Sequence, residues 1–530
     1  MSKPSRKRAY WCDTCHVPVL SEQCLACGSK ARELCTAGLV PVFRPEISYL
    51  NKRTDNRLRA LLKEGELWVT PCNHIYYCQG LPVLKLSAAN GQSTVTEQAA
   101  ALTPLRRTKK TCRTALRQAN RKYIEELQYE AESFIRQTAA LYAGKTTLVS
   151  FSGGKDSTVV SHLVMNALGR SDILHIFADT TIEFPDTYSY IQDFQQRHPL
   201  TPFVQAQSKL DFFATARSIG PPSRILRWCC TTHKTNPLSK LINSMSPDSG
   251  VLTFDGVRHA ESPRRTQYPR ISTQHKIARE ILARPILMWS DLQLWVYILS
   301  ENVEFNHSYK KGFRRVGCLY CPFNSDWSYN MIMYRYPRKG KNWRNFLLEQ
   351  AERMEHPNPE VFAARGWRTR AGGRGLDHYK SSIESIPCLL SEQAVMYQLL
   401  GGDIKLVRLF LRPFGPQSPL NSDKFSETFL IQKYKSNEVL ASVEVSYLDE
   451  AVRVNYLCKK NRYLFQQRVE KQLKKLQGCI FCGACGAKCK HSALSSDGIF
   501  WIEEEKCVSC LTCVSHKCPV VKSLHYNGEK

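Results

Sequence analysis

From Thr146 onward the apolar residues fall into short continuous runs, "TTLVSF", "DILHIFADT" and "GVLTFDGVR". Between them, in "STVVSHLVMNAL" and "PDTYSYIQDFQQRH", apolar positions recur every three or four residues. The continuous runs predict strands buried on both faces, and the periodic ones predict amphipathic helices. Their alternation predicts an α/β fold with a doubly wound parallel sheet. Upstream, from about Cys35 to Asn90, short apolar stretches broken by Gly, Pro and Asn predict a small β-rich module. The text "LRRTKKTCRTALRQANRKYIEELQYEAESFIRQTAALYAG" predicts a long basic helix or helix pair. Beyond residue 340, "NWRNFLLEQAERMEH" and "EQAVMYQLLGGDIKLVRLFL" predict helices, and "ETFLIQKYKSNEVLASVEVSY" predicts strands.

A chain of 530 residues exceeds one ordinary core, so several domains are expected. Lys plus Arg number 74 against 47 Asp plus Glu, a formal charge of +27. That excess favours a polyanionic partner, with tRNA or DNA the first candidates, although a merely soluble basic surface gives the same count. No apolar run reaches the roughly 20 residues that a bilayer requires, and the start "MSKPSRKRAYW" lacks an apolar signal core. A cytoplasmic protein without membrane contact is expected. Most of the 22 cysteines lie in CxxC groups, which suit metal ligation better than disulfides.

Cys12, Cys15, Cys24 and Cys27 form two CxxC pairs, and four thiolates in tetrahedral array suit structural zinc; an iron site or redox thiols share this spacing. His16 reads as a surface residue, and Cys72 and Cys78 as core packing. The last 52 residues hold Cys479, Cys482, Cys485 and Cys489, then Cys507, Cys510, Cys513 and Cys518. Three close thiolates with one remote thiolate suit cubane clusters. This part resembles the bacterial two-cluster ferredoxins, which implies one 4Fe-4S cluster on Cys479, Cys482, Cys485 and Cys518 and another on Cys507, Cys510, Cys513 and Cys489. Lys490 stands where those proteins have Pro, and the second run has one extra residue before Cys518.

"FSGGKDSTVV" follows the first strand, "ADTTIEFPDT" the second, and "DGVRHAES" a later one. The glycines admit a tight turn, and a strand-to-helix loop with Lys155 also makes an anion site at the positive helix end. Ligands bind beyond the carboxyl ends of such strands, so three polar motifs on one edge point to a nucleotide.

These motifs, together with "RWCCTTHKTNPL", "PILMWSDLQLWVYI" and "FNHSYKKGFRRVGCLYCPF", make residues 143 to 330 resemble the phosphoadenosine phosphosulfate (PAPS) reductase family. The resemblance implies an adenine-nucleotide α-hydrolase fold in which Ser152, Gly153, Gly154, Ser157 and Thr158 cradle the pyrophosphate of ATP. It also implies that Lys155 balances charge and that Asp156 positions magnesium or a loop amide. Arg227, Lys234, Arg258 and Arg265 are expected to bind phosphate or stabilise transition-state charge, and Asp179, Glu183 and Gly256 to line the nucleotide site. Cys229, Cys230, Cys318 and Cys321 match the cysteines that hold a third 4Fe-4S cluster in some family members. The full SGGKDS loop, without the nucleophilic-cysteine segment of sulfonucleotide reductases, favours ATP cleavage coupled to sulfur insertion. APS or PAPS reduction is the alternative, and a non-catalytic electron carrier or binding protein is the third reading. Sulfur-donor and electron-donor proteins are implied partners.

The expected division is a zinc-ribbon-like segment at 1–35, the β-rich module at 36–103 and a basic helical linker at 104–142. A PAPS reductase-like nucleotide domain follows at 143–335, a mixed helical and β region at 336–470, and an α+β ferredoxin domain at 471–530.

Overall fold

The computed structural model describes residues 8–36, 38–87, 93–245, 249–273, 277, 279–388, 391–458 and 460–526. The start at 1–7 and the end at 527–530, both read above, lie outside them.

The central sheet has six strands, in the order Phe203–Gln207, Leu174–Asp179, Thr146–Ser150, Val251–Phe254, Glu280–Ala283, Ile271–Ser272. All pair in parallel except Ile271–Ser272, which is an antiparallel edge. From Thr146–Ser150 the chain first builds outward through Leu174–Asp179 to Phe203–Gln207, then returns to place Val251–Phe254 on the other side. The switch point therefore opens between the loops at 151–154 and 255–258, where open α/β sheets take ligands.

The helix Lys109–Leu141 is one continuous element. A reciprocal cap starts it: Thr108 Oγ1 accepts from Thr111 N at 3.2 Å and Thr111 Oγ1 from Thr108 N at 3.0 Å. Its buried stripe, including Leu116, Ile124, Ala131 and Ile135, lies against the helices Lys155–Leu168 and Asp291–Ser300. Asn120 of this helix also donates to Pro18 O at 3.1 Å and accepts from Leu20 N at 3.0 Å, tying down the cysteine module at 8–36.

That module is a three-stranded antiparallel sheet, and residues 40–95 form a five-stranded one. The latter grips the central domain through Glu46, fully buried, which accepts from Arg314 Nη1 at 2.8 Å and from Tyr76 Oη at 2.8 Å.

Residues 384–456 carry a six-stranded antiparallel sheet. Here one expectation fails: "AVMYQ" within the segment read as helical is the strand Ala394–Gln398, paired with Glu384–Pro387 and Ala451–Tyr456. Buried Ala394 and Tyr397 stand three positions apart, a spacing that suits a helix, so the strand owes its identity to pairing, with Ala451–Tyr456 too far along the chain for local periodicity to reveal. Helical backbone appears only later, at Ile404–Leu406 and Val407–Leu411. The sheet, the helix Arg462–Gln477 and the cysteine-rich tail share one core, in which Phe410 stacks on Phe500 with ring centroids 3.9 Å apart. Among the described residues, no helix is long and apolar enough to cross a membrane.

Candidate functional site

Phe151, 1% exposed, directly follows the strand Thr146–Ser150, and the chain turns through Gly153 at φ +69° into the helix Lys155–Leu168. A side chain at Gly153 would be strained and would meet Thr187 Cγ2 at 3.0 Å. The loop hydroxyls fold back on the loop: Ser157 Oγ donates to Gly154 O at 2.9 Å and accepts from Ser152 N at 3.1 Å, while Thr158 Oγ1 donates to Gly154 O at 3.1 Å. Outside support comes from Asn306, which donates to Gly153 O at 3.1 Å, and from Tyr309, whose hydroxyl accepts from Lys155 N at 3.1 Å.

Lys155 is buried, and its Nζ lies 2.8 Å from Asp156. Asp156 receives Arg258 Nε at 2.5 Å on its other oxygen. Arg258, 1% exposed, also donates to Asp291 at 2.8 Å and to Trp289 O at 3.1 Å. Burial alone would push the Asp156 carboxyl up, yet Arg258 and Lys155 hold it well below the usual range. Burial likewise pulls Lys155 down, and Asp156 and the Tyr309 phenol outweigh it, so the ammonium stays charged. The geometry makes Arg258 a positioning residue whose guanidinium is committed to loop carboxylates; the sequence reading gave it a phosphate.

Gly256 explains the fit of the two switch-point loops. A Cβ there would lie 2.8 Å from Asp156 C and 2.9 Å from Ser157 N, both backbone atoms that cannot step aside. Gly256→Ala is expected to cost about 1–3 kcal/mol by overpacking and to weaken nucleotide binding, read by denaturant midpoints and nucleotide titration. An unchanged midpoint and affinity would remove the close approach from the account.

The remaining expected nucleotide ligands divide. Asp179 is occupied in organising its own loop, accepting from Thr181 N at 2.7 Å, Tyr188 Oη at 2.9 Å and Gln205 Nε2 at 2.6 Å. Arg265 pairs with Glu261; burial and Arg315 pull its pKa down while Asp255 and Asp156 oppose them. Glu183 faces the cysteines, accepting from Thr180 Oγ1 at 2.6 Å and Cys318 Sγ at 3.5 Å, with Lys234 Nζ 3.6 Å away.

Cys229 and Cys230 sit on the single turn Trp228–Cys230, which widens into the five-residue π-turn Thr231–Thr235. Across from them Cys318 and Cys321 form a second turn, closed by Cys321 N donating to Cys318 O at 3.3 Å. The four thiols interact as one set. The contact between Cys229 and Cys230 raises the first and lowers the second, with Arg227 and Lys234 also favouring the Cys230 thiolate. Arg227 Nη2 donates to Cys230 Sγ at 3.5 Å. Burial pushes Cys318 up to about 12 and Glu183 adds to it, against Lys234. Lys234 is pulled down by burial and carried well above its ordinary range by Cys318, Glu183 and Cys230.

The two sites share a wall. A Cβ on Gly154 would lie 3.4 Å from Tyr309 Oη and 3.8 Å from Val316 O, two residues before Cys318.

In the tail, Cys479 and Cys482 each feel Cys518 and Cys485, while Cys513 feels Cys485 first and then Cys489 and Cys507. Cys489, Cys507, Cys510 and Cys513 line one cavity with Leu494 and Ile502. Cys513 is thus influenced by cysteines of both expected sets. At the amino end Cys12 Sγ lies 3.5 Å from Cys27 Sγ and Cys24 Sγ lies 3.8 Å from Cys15 Sγ. Four sulfurs about a single tetrahedral zinc are about 3.8 Å apart, so this set fits one ion. The Ser29 hydroxyl and amide bring Cys27 down to about 6, which favours the ligating thiolate. Among the described residues only this set draws its ligand atoms all within 4.8 Å of one another.

Tail and centre are docked. Lys240 pairs with Asp497 at 2.9 Å, Ser239 Oγ donates to Ala487 O at 3.3 Å, and Lys522 Nζ donates to Ile225 O at 3.2 Å. The helix Pro519–Leu524, which begins just after Cys518, packs on the turn that carries Cys229 and Cys230. Asp291, Asn306 and Tyr309 were not picked out by sequence reasoning. Their motifs, "PILMWSDLQLWVYI" and "FNHSYKKGFRRVGCLYCPF", were visible, but the contacts of Asn306 and Tyr309 with a loop 153 and 154 residues back, and of Asp291 with Arg258, were not.

Residues 146–324 match the family described as phosphoadenosine phosphosulfate reductase domain. An uncharacterized protein of Methanocaldococcus jannaschii is 36% identical over 251 residues, which are 47% of this chain and 51% of that protein. A second from the same organism is 30% identical over 269 residues, 50% of this chain and 62% of the relative. The chain therefore spans about half to three fifths of these relatives. The adenosine 5'-phosphosulfate reductase of Geobacillus kaustophilus is 24% identical over 180 residues, 34% of this chain and 73% of that enzyme. A solved structure of PAPS reductase from Candida auris, a phosphate complex, has 15% identity and a TM-score of 0.29, over 37% of this chain and 94% of that one.

Proposed function

We propose that the PAPS reductase domain at residues 146–324 cleaves ATP between the α and β phosphates to activate an acceptor oxygen, which is then replaced by sulfur. The observation that carries this reading is the complete loop: a charged, buried Lys155 at the start of a helix, backed by Asp156 and Arg258, beside four cysteines. Backbone N–H groups at the helix start and the Lys155 ammonium hold the pyrophosphate as negative charge grows on it. The acceptor oxygen bonds to the α-phosphorus, the bridge to the β-phosphate breaks, and pyrophosphate leaves. Sulfide then displaces AMP together with that oxygen, so the acceptor exchanges one oxygen for one sulfur.

Cys229, Cys230, Cys318 and Cys321, faced by Arg227 and Lys234, suit a 4Fe-4S cluster, which would supply a site for sulfide or an electron. Cys479, Cys482, Cys485 and Cys518 suit a second, and Cys489, Cys507, Cys510 and Cys513 a third, making the tail an electron relay. Structural zinc belongs at Cys12, Cys15, Cys24 and Cys27. A nucleic-acid acceptor is supported by the charge of +27 and by Lys110, Arg117, Arg121 and Lys122, exposed on the long helix.

A second reading, release of sulfite from APS or PAPS, is favoured by the likeness to adenosine 5'-phosphosulfate reductases. Anaerobically reconstituted protein offered ATP, APS or PAPS, with and without bulk tRNA or DNA, separates the two. Pyrophosphate from ATP, stimulated by nucleic acid, is expected; sulfite from APS or PAPS with no pyrophosphate would overturn the first reading. Cys229→Ser is expected to remove about four irons from anaerobically purified protein, and unchanged iron would sink the central cluster.

A further inference from the structure

The helix Arg462–Gln477 carries Lys474 and Lys475 in its last turn, where lysines ordinarily stay in solvent and favour the negative pole. Lys475 does not follow that pattern. It is 3% exposed, whereas neighbouring Lys471 and Lys474 remain partly accessible. Its Nζ donates to Cys513 O at 2.6 Å and Val514 O at 3.0 Å. Among the described residues no carboxylate forms an ion pair with it. A buried ammonium held only by two carbonyls is costly unless negative charge lies close by.

The candidates for that charge are the cysteines. Lys475 Nζ sits on the backbone of Cys513, which belongs to one set, and the helix that carries it ends two residues before Cys479, which belongs to the other. Cys479 and Cys485 of the first set and Cys489, Cys507 and Cys513 of the second pack against the same core as Leu473 and Leu476 of that helix, so Lys475 stands in the wall between the sets.

We propose that Lys475 is a shared electrostatic tuner of the two tail clusters, a buried cation that makes both easier to reduce and keeps them matched for electron passage. The inference rests on the 4Fe-4S reading of the tail. Each cluster takes one electron from an external reductant and gains one unit of negative charge, and the fixed ammonium stabilises that gain. Matched potentials keep electrons moving from the Cys510 side, which is exposed, toward Cys518, beside the central cysteines.

The test is a potentiometric titration of the anaerobic full-length holoprotein with dithionite and mediators, followed by electron paramagnetic resonance, with iron counted in parallel. Lys475→Met keeps the length of the stem and removes the charge; Lys475→Arg keeps the charge. With full iron in the Met variant, both tail signals are expected to become at least tenfold harder to reduce at a fixed potential, about 59 mV for one electron. The Arg variant is expected to stay within threefold of the unaltered protein. Should the Met variant lose iron, Lys475→Gln, which retains a donor for the carbonyls, is expected to give the same shift. Full iron with unmoved potentials, or a shift in one cluster alone, would overturn the proposal. Absence of tail iron from the unaltered protein would overturn the cluster reading itself, a different result from clusters that do not respond to Lys475.

Discussion

Lys155→Met is expected to lower pyrophosphate release from ATP by at least about 100-fold, the size of loss seen when one preorganised donor to developing negative charge is removed. An ammonium has three protons to give, and Asp156 at 2.8 Å takes one, leaving the others for an anion. Asp156 and Tyr309 keep it charged in spite of burial, so the charge is fixed before substrate arrives. Methionine preserves the apolar stem over the Tyr309 ring, whose centroid lies 5.7 Å from Nζ. Arg258 still holds Asp156 at 2.5 Å in the variant, so the loop is expected to keep its shape and the tail its iron. The measurement is single-turnover pyrophosphate release alongside an iron count. A rate above one tenth of the unaltered protein's, with normal iron, would refute the phosphate-site assignment of the loop.

The parts of this site that were legible in the sequence are those built by neighbours in the chain. A buried parallel strand must read as a continuous apolar run, and a turn at φ +69° must carry glycine, so "TTLVSFSGGKDS" disclosed strand, loop and helix together. Cysteine spacing disclosed the grouping of Cys12, Cys15, Cys24 and Cys27 for the same reason. What remained hidden depends on contacts between distant segments. Glu183 was read as a nucleotide ligand because it follows a strand end, and its partner Cys318 lies 135 residues away. Arg258 was read as a phosphate ligand because it sits on a switch-point loop; its partner Asp156 is 102 residues back. The burial of Lys475 depends on chain at Cys513 and Val514 that returns 38 and 39 residues later. The strand Ala394–Gln398 was misread by the same mechanism, since a five-residue apolar run takes its identity from its partners.

Arg258→Leu is expected to destabilise the central domain by about 3–5 kcal/mol at neutral pH, because it leaves carboxylates partly buried without their cation. The side chains of Asp156 and Asp291 are 18% and 24% exposed, so water screens them only in part. Lys155 would still face Asp156, but Asp291 would lose Arg258 Nη2 at 2.8 Å and Trp289 O would lose its donor at 3.1 Å. The pH dependence follows from the depressed Asp156 pKa. Its stabilisation is fully present above the unfolded carboxyl's value of about 3.9 and is lost as pH falls toward the lower folded value. The difference between the two proteins should therefore be flat from pH 8 to 5 and narrow below about pH 4. Urea midpoints for the central-domain transition measure it. A loss under about 1 kcal/mol would mean that these pairs behave as surface ion pairs do. A larger loss that persists unchanged into acid would assign the effect to packing around the guanidinium rather than to its charge. The same substitution frees Asp156 to draw Lys155 toward itself. Nucleotide affinity is thus expected to fall along with stability, although Arg258 never touches the phosphates.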